Sequence, residues 1–425
     1  MLIQFSVTNY KTFKDKATLS LVASNYDKDT RVAENIVVNE KYNLRLLKSA
    51  VIYGPNASGK TKLFDAMNSM KAFLLRSYEW SLKEYPLPVE PFKLNTKSEM
   101  EPTEFEVIFL YKNILYRYGF EANQTQVISE WLYYKPKTKE TELFYREGED
   151  ITSNKTQFLK GDLIKREKLL RKNVLLLSLA ASLNDEIAKS IIDWLEAFNS
   201  ISGTEGTEEK IWRFITLRQM ENEANKKKVL DFIQSADLGI NDIRMKTIKD
   251  LKSESIFPDV LTFHKKYDEN KHYTENVSFT LDKNESSGTQ KFLSISGVIL
   301  NCLKYGRTLL VDELDSKLHP NLVAEIISLF NSAEKNPNNA QLIFNTHNTN
   351  LLSSRLFRRD QVWFTQKNRM GEASLYSLAD FKTDQVRKDE AFEDNYIRGK
   401  YGAIPYLDAF EDLNIHKMQD YADEE

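Results

Sequence analysis

Residues Leu46–Thr61 read LLKSAVIYGPNASGKT. The first half, Leu46 to Tyr53, is an apolar run and predicts a buried strand. The second half, Gly54-Pro55-Asn56-Ala57-Ser58-Gly59-Lys60-Thr61, fits G-x-x-x-x-G-K-[ST]. Lys62 to Leu75 follows with helical spacing. Strand, glycine loop and helix, in that order, form the context in which this pattern cradles phosphate. Gly54 and Gly59 leave room for backbone N–H groups to curl around phosphate oxygens. The helix N-terminus aims its partial positive charge at the same anion. Lys60 can reach the β- and γ-phosphates of a nucleotide, and the Thr61 hydroxyl can ligate Mg²⁺.

Towards the C-terminus, Thr308 to Val311 is a short apolar strand that ends in Asp312-Glu313. A strand tip with a carboxylate completes a P-loop site: Asp312 would hold Mg²⁺. Glu313 would orient or deprotonate the attacking water. One helix earlier lies Glu285-Ser286-Ser287-Gly288-Thr289-Gln290, before a helix over Lys291 to Leu303. Small hydroxyl residues at a helix start are ordinary caps, but they also make a second phosphate cradle. Gln341 to Phe344 is another apolar strand, and His347 follows it where a γ-phosphate sensor would sit.

Between these ends, Thr103 to Glu121 alternates as a β-hairpin, and Val127–Tyr134 and Thr141–Tyr145 read as further strands. Gly161 to Ala236 reads as helical. Leu169–Leu183 and Ser190–Phe198 carry helical apolar spacing. Gly203–Glu209 is a polar break, and Trp212–Ile233 reads as one charged amphipathic helix. Strand patterns return at Val260. The expected division is residues 1–160 as a first ATPase lobe with the glycine loop and an antiparallel β subdomain. A helical insertion over 161–255 follows, then a second lobe over 256–425. The acidic end, Asp420 to Glu425, is expected to fray.

Composition limits the alternatives. The chain has 425 residues, 41% hydrophobic and 12% aromatic, enough to bury a core. Its 59 basic and 62 acidic residues leave a net charge of −3, which excludes a globally basic nucleic-acid coat. One cysteine, Cys302, excludes an internal disulfide and a Cys-rich zinc site, and points to a reducing compartment, most simply the cytoplasm. No signal peptide or 18-residue apolar run is present, so a soluble protein is expected. No [NT]-K-x-D guanine-reading motif occurs, which argues against a GTPase.

The ordered set resembles the ABC-type ATPase heads of the SMC, RecF and OLD group. That resemblance implies an α/β P-loop NTPase head, a mixed sheet with an antiparallel β subdomain, carrying a helical insertion. It makes Gly54–Thr61 the Walker A loop, Ser286–Gln290 the signature and Leu309–Glu313 the Walker B strand. Leu314-Asp315-Ser316 would be the D-loop and His347 the switch histidine. Lys11, in Asn9-Tyr10-Lys11-Thr12-Phe13, would flank the nucleotide. The signature departs from the family pattern, reading SSGTQ, so Ser286 or Ser287 could take the phosphate-contacting place. No Q-loop glutamine is assigned, and no heptad repeat suits a long coiled coil.

Asn173–Asn184, Glu285–Gln290 and Tyr396–Pro405 also resemble stand-alone bacterial ATPases of anti-phage defence loci, the RloA-like proteins and AriA of PARIS. The resemblance implies ATP and Mg²⁺ as ligands, and hydrolysis to ADP and phosphate. It implies a head-to-tail homodimer or higher homo-oligomer in which the partner's Ser286, Ser287 and Gly288 close over ATP. A separate effector protein, such as a TOPRIM-type nuclease, is the implied partner. The alternative is a RecF-like DNA-binding repair ATPase, with DNA held by Lys160, Lys165, Arg166, Arg171 and Lys172. No membrane partner is expected.

Overall fold

The computed structural model describes residues 1–25, 30–83, 85–202, 206–245, 259–353, 356–382, 386 and 390–405. The acidic end over 420–425 and part of the polar break (203–205) lie outside the described residues. The fold is α/β, built on two large sheets.

The central sheet runs in the order Asn199–Ser202, Thr308–Asp312, Gln341–Asn345, Ser49–Tyr53, Val362–Lys367 and Ala373–Ser377. Its first five strands are parallel and the last pair is antiparallel. Ser49–Tyr53 and Gln341–Asn345 are buried at every position. Burial on both faces is why these strands read as unbroken apolar runs rather than alternating ones.

Side-chain alternation divides the sheet between two cores. Ala50, Ile52, Leu310 and Ile343 face a core shared with Leu63, Met67, Met70, Phe73 and Leu74 of the helix Lys60–Lys83. That helix continues towards a seven-stranded antiparallel sheet, whose members include Leu2–Thr8, Thr103–Tyr111 and Ile114–Ala122. The expected hairpin is therefore present. Val51, Leu309, Val311, Leu342 and Phe344 face the second core with the helices Ser287–Tyr305 and Pro320–Asn331. Helix Gly206–Gln219 packs on Ser287–Tyr305 at Gly297, where a Cβ would lie 2.6 Å from Thr216 Oγ1.

Three expectations differ from the structure. Leu46–Tyr53 is not one strand. Leu44–Leu47 pairs with Ile36–Asn39 in a small separate sheet, and the chain changes sheet at the buried Lys48. Trp212–Ile233 is two helices, Gly206–Gln219 and Glu223–Ser235, because the Asn222 side chain accepts from Asn225 N and starts a new one. Within 161–255 the polar strand Asn199–Ser202 joins the edge of the central sheet, parallel to Thr308–Asp312. The helices before it pack on the first core and those after it on the second. Among the described residues no helix is long and apolar enough to cross a membrane.

Candidate functional site

The parallel strands deliver Tyr53, Asp312 and Asn345 side by side at their carboxyl ends, where open α/β sheets place their ligands. From Tyr53 the chain enters the glycine loop. Gly54 has φ +153°, and a Cβ there would lie 2.4 Å from Thr365 O. Gly59 has φ +116° and Ala57 +61°. Only glycine suits the first two positions. Ser58 Oγ turns inward to Thr365 Oγ1 at 2.6 Å. The loop's concave side is therefore main chain.

Lys60 opens the helix and folds back over the loop. Its Nζ donates to Gly54 O at 2.7 Å and Pro55 O at 3.1 Å. It is 6% exposed and, among the described residues, forms no ion pair. Burial pushes its pKa down to about 8, against the pull of Glu313, Asp312 and Asp315. An ammonium held only by carbonyls still has charge to offer an anion.

Beside it, Asp312 Oδ1 accepts from Thr61 Oγ1 at 3.1 Å and from Asn345 Nδ2. Glu313 has φ +53°, and its N–H donates to Asn345 Oδ1 at 2.7 Å. Lys291, 2% exposed, donates from Nζ to Glu313 O at 3.0 Å and Ser316 O at 2.7 Å. Burial lowers its pKa to about 8. The Asp315 Oδ1 atom is buried and has no hydrogen-bond partner among the described residues. Loss of water, with the Lys60 charge, pushes the His347 imidazole below its usual value.

These residues fit a magnesium nucleotide. A hydroxyl and a carboxylate meet at Thr61 and Asp312, the oxygen donors a hard cation takes beside phosphate. The glycine loop, Lys60, Asp312, Glu313 and His347 thus share one neighbourhood. Lys11 lies against the same helix, paired to Asp65 at 2.8 Å.

The serine turn lies elsewhere. Ser286 Oγ caps the helix Ser287–Tyr305 by accepting from Thr289 N at 3.1 Å. Ser287 is exposed, and among the described residues its hydroxyl has no partner. A Cβ on Gly288 would lie 2.6 Å from Lys317 O. Glu285 is tied to Thr262 and to His264 Nε2. A cavity of about 490 Å³ borders Gly54, Pro55, Ser58, His347 and Tyr396. A second, of about 440 Å³, borders Ser286, Gly288, Thr289, Lys317 and His319. The two share no residue.

Sequence reading missed Asn345, Lys291, Thr365 and Tyr396. Their partners are distant in the chain, and no local pattern marks them. The cations expected for a DNA groove are partly engaged. Lys165 donates to Ile151 O, Arg166 pairs with Glu167 and Arg171 donates to Ser81 O. On the helix Glu223–Ser235, Lys226 pairs with Asp242 at 2.8 Å.

A family model described as "AAA domain, putative AbiEii toxin, Type IV TA system" matches residues 49–353. Among solved structures, the SMC head domain from Thermotoga maritima matches at 12% identity, with a TM-score of 0.44. The match covers 88% of this chain and 98% of that one. No curated protein matches the chain.

Proposed function

The chain belongs to that AAA family, whose model spans most of its length, and from this premise we propose that it is an ATP-hydrolysing dimerisation switch. In this reading two copies pack head to tail. The Gly54–Thr61 loop of one copy holds the triphosphate, and Ser286, Ser287 and Gly288 of the other close over it. The observation that carries the proposal is the separation of the two cavities. Each turn borders its own cavity, and neither cavity is lined by the other turn. A triphosphate in transfer needs donors on both sides, so a second copy supplies the missing half.

Each residue has a role in this reading. The loop amides and Lys60 bind the β- and γ-phosphates, and Lys60 exchanges two carbonyl partners for phosphate oxygens. Thr61 and Asp312 would hold Mg²⁺, which neutralises phosphate charge when bound. Glu313 takes a proton from the water that attacks the γ-phosphorus. The bond to the leaving ADP oxygen breaks, and phosphate departs. His347 orients the γ-phosphate, and Lys11 flanks the nucleotide beside Asp65. The division into a first lobe (1–160), an insertion (161–255) and a second lobe (256–425) belongs to the same proposal.

The output would be a change of assembly rather than a modified product. We assign that output to a bacterial anti-phage defence system, in which this chain is the regulatory ATPase of a separate effector. The family description names a putative toxin of a toxin–antitoxin pair, which is in keeping with a two-component arrangement. The test is mass measurement in solution with Glu313→Gln protein. ATP and Mg²⁺ should convert a nucleotide-free monomer into a dimer. A protein that stays monomeric in every nucleotide state would sink the proposal.

A further inference from the structure

One side chain touches both carboxylate-bearing residues at the strand tip, and it is neither a motif residue nor an ionisable one. Asn345 is the last residue of the strand Gln341–Asn345 and has no exposed surface. Its Oδ1 accepts from Glu313 N at 2.7 Å, and its Nδ2 donates to Asp312 Oδ1. Its own carbonyl accepts from Leu314 N at 3.3 Å. Asn345 therefore grips two successive peptide N–H groups and one carboxylate.

Glu313 needs that grip. Its φ of +53° is left-handed, a conformation that costs a glutamate energy and persists only when its surroundings impose it. Asn345 fixes its amide and Lys291 Nζ fixes its carbonyl at 3.0 Å. With both ends of the residue held, the direction of its Cα–Cβ bond is set. The second arm matters equally: Asp312 Oδ1 is shared between Asn345 and the Thr61 hydroxyl. A planar amide alone offers an acceptor and a donor at this spacing. Aspartate lacks the donor, and serine is too short to span both partners.

We infer that Asn345 is the positioning residue of the site: it orients Glu313 towards the attacking water and holds Asp312 against Thr61. The inference rests on the proposed role of Glu313 as base. Because Asn345 lies two residues before His347 on one strand end, a shift of that end on γ-phosphate contact would also move the base.

The test is a double-mutant cycle on full-length protein, with steady-state hydrolysis and ATP affinity both measured. Asn345→Ala should lower kcat by about 10- to 100-fold, the range that a misplacement near 1 Å produces. ATP affinity measured without Mg²⁺ should stay within about threefold, because Lys60 and the loop amides keep their places. Combined with Glu313→Gln, it should add no further loss in kcat, since residues that act as one unit are not additive. The isosteric Asn345→Asp, which keeps the acceptor for Glu313 N, should fall at least about fivefold and guards against an unfolded alanine variant. Wild-type turnover in Asn345→Asp or Asn345→Ala, beside a dead Glu313→Gln, would overturn this inference alone. So would a loss of ATP affinity that matches the loss of turnover, or full additivity in the cycle. Wild-type turnover in Glu313→Gln would instead remove the base assignment on which it rests.

Discussion

Two turns in this chain lead into helices with small residues at the start, and they are built differently. The loop Gly54–Thr61 is unfinished on its own: Gly59 brings no capping side chain, Lys60 has only carbonyl partners among the described residues, and Asp312 and Glu313 lie near its charge. The turn Ser286–Gly288 is closer to complete: Ser286 caps its own helix, and Gly288 packs under Lys317 O. The first suits an anion, and in the proposed reading it is the half that holds the triphosphate. The second is a capped turn whose Ser287 hydroxyl has no partner among the described residues, and in the proposed reading it closes the site of the other copy. The comparison predicts different failures when each turn is damaged.

The largest effect should come from Glu313→Gln, which keeps shape and removes the proposed base. Hydrolysis should fall at least about 100-fold while ATP binding persists, read by phosphate release and by dimer lifetime. Lys60→Ala should come next. It removes the charge from the unfinished turn, and ATP should bind on the order of 100-fold more weakly by calorimetry. Gly288→Ala should cost turnover by about tenfold while one copy still binds ATP normally, because the added methyl drives Lys317 and the adjoining turn away from the surface proposed to close the site. If Gly288→Ala weakens ATP binding by the isolated monomer, the two turns are not separate halves.

The two turns were also unequally legible in the sequence. The glycine loop declares itself because its chemistry is local: eight consecutive residues carry the whole pattern, between a strand and a helix. The apolar runs at Thr308 and Gln341 read as strands, but their parallel pairing and their order in the sheet are not written in them. The change of sheet at Lys48 was hidden, because apolar residues continue on both sides of it and pairing partners are not written in a run. Asn199–Ser202 was hidden because four residues, three of them polar, carry no strand signal; pairing with Thr308–Asp312 makes the strand. Asn345 and Lys291 were hidden for a related reason. Their importance is a property of long-range contacts to Asp312, Glu313 and Ser316.

A pH series sharpens the electrostatic side of the comparison. In the free protein Lys60 has a pKa of about 8. Phosphate oxygens favour its charged form, so binding raises that pKa. Below pH 8 the lysine is already charged and affinity is flat. Above pH 8 a proton must be taken up, and affinity should fall, by about tenfold at most per pH unit. Buffers of different ionisation enthalpy would reveal the proton in calorimetry at pH 9, and Lys60→Ala should abolish it. The same shift acts on folding with the opposite slope. The folded state holds fewer protons than the unfolded one between pH 8 and the ordinary lysine range. Stability of the nucleotide-free protein should therefore rise with pH through that window, with Lys291 adding to it.

The smallest expected effect separates the two serines. Ser286 Oγ is occupied by Thr289 N, whereas Ser287 sits at the first helical position and its exposed hydroxyl has no partner among the described residues. Ser286→Ala removes a cap and should cost about 1 kcal/mol of stability in denaturant unfolding. Ser286→Asp restores the cap but brings a negative charge to the closing surface. If Ser286 serves only the helix, the alanine variant loses stability yet keeps ATP-driven dimerisation. Ser287→Ala should do the reverse, leaving stability within about 0.5 kcal/mol while weakening the dimer. If instead Ser286→Ala abolishes dimerisation at unchanged stability, its hydroxyl leaves the cap for the phosphate when the copies meet, and the serine turn is less rigid than its resting hydrogen bonds make it.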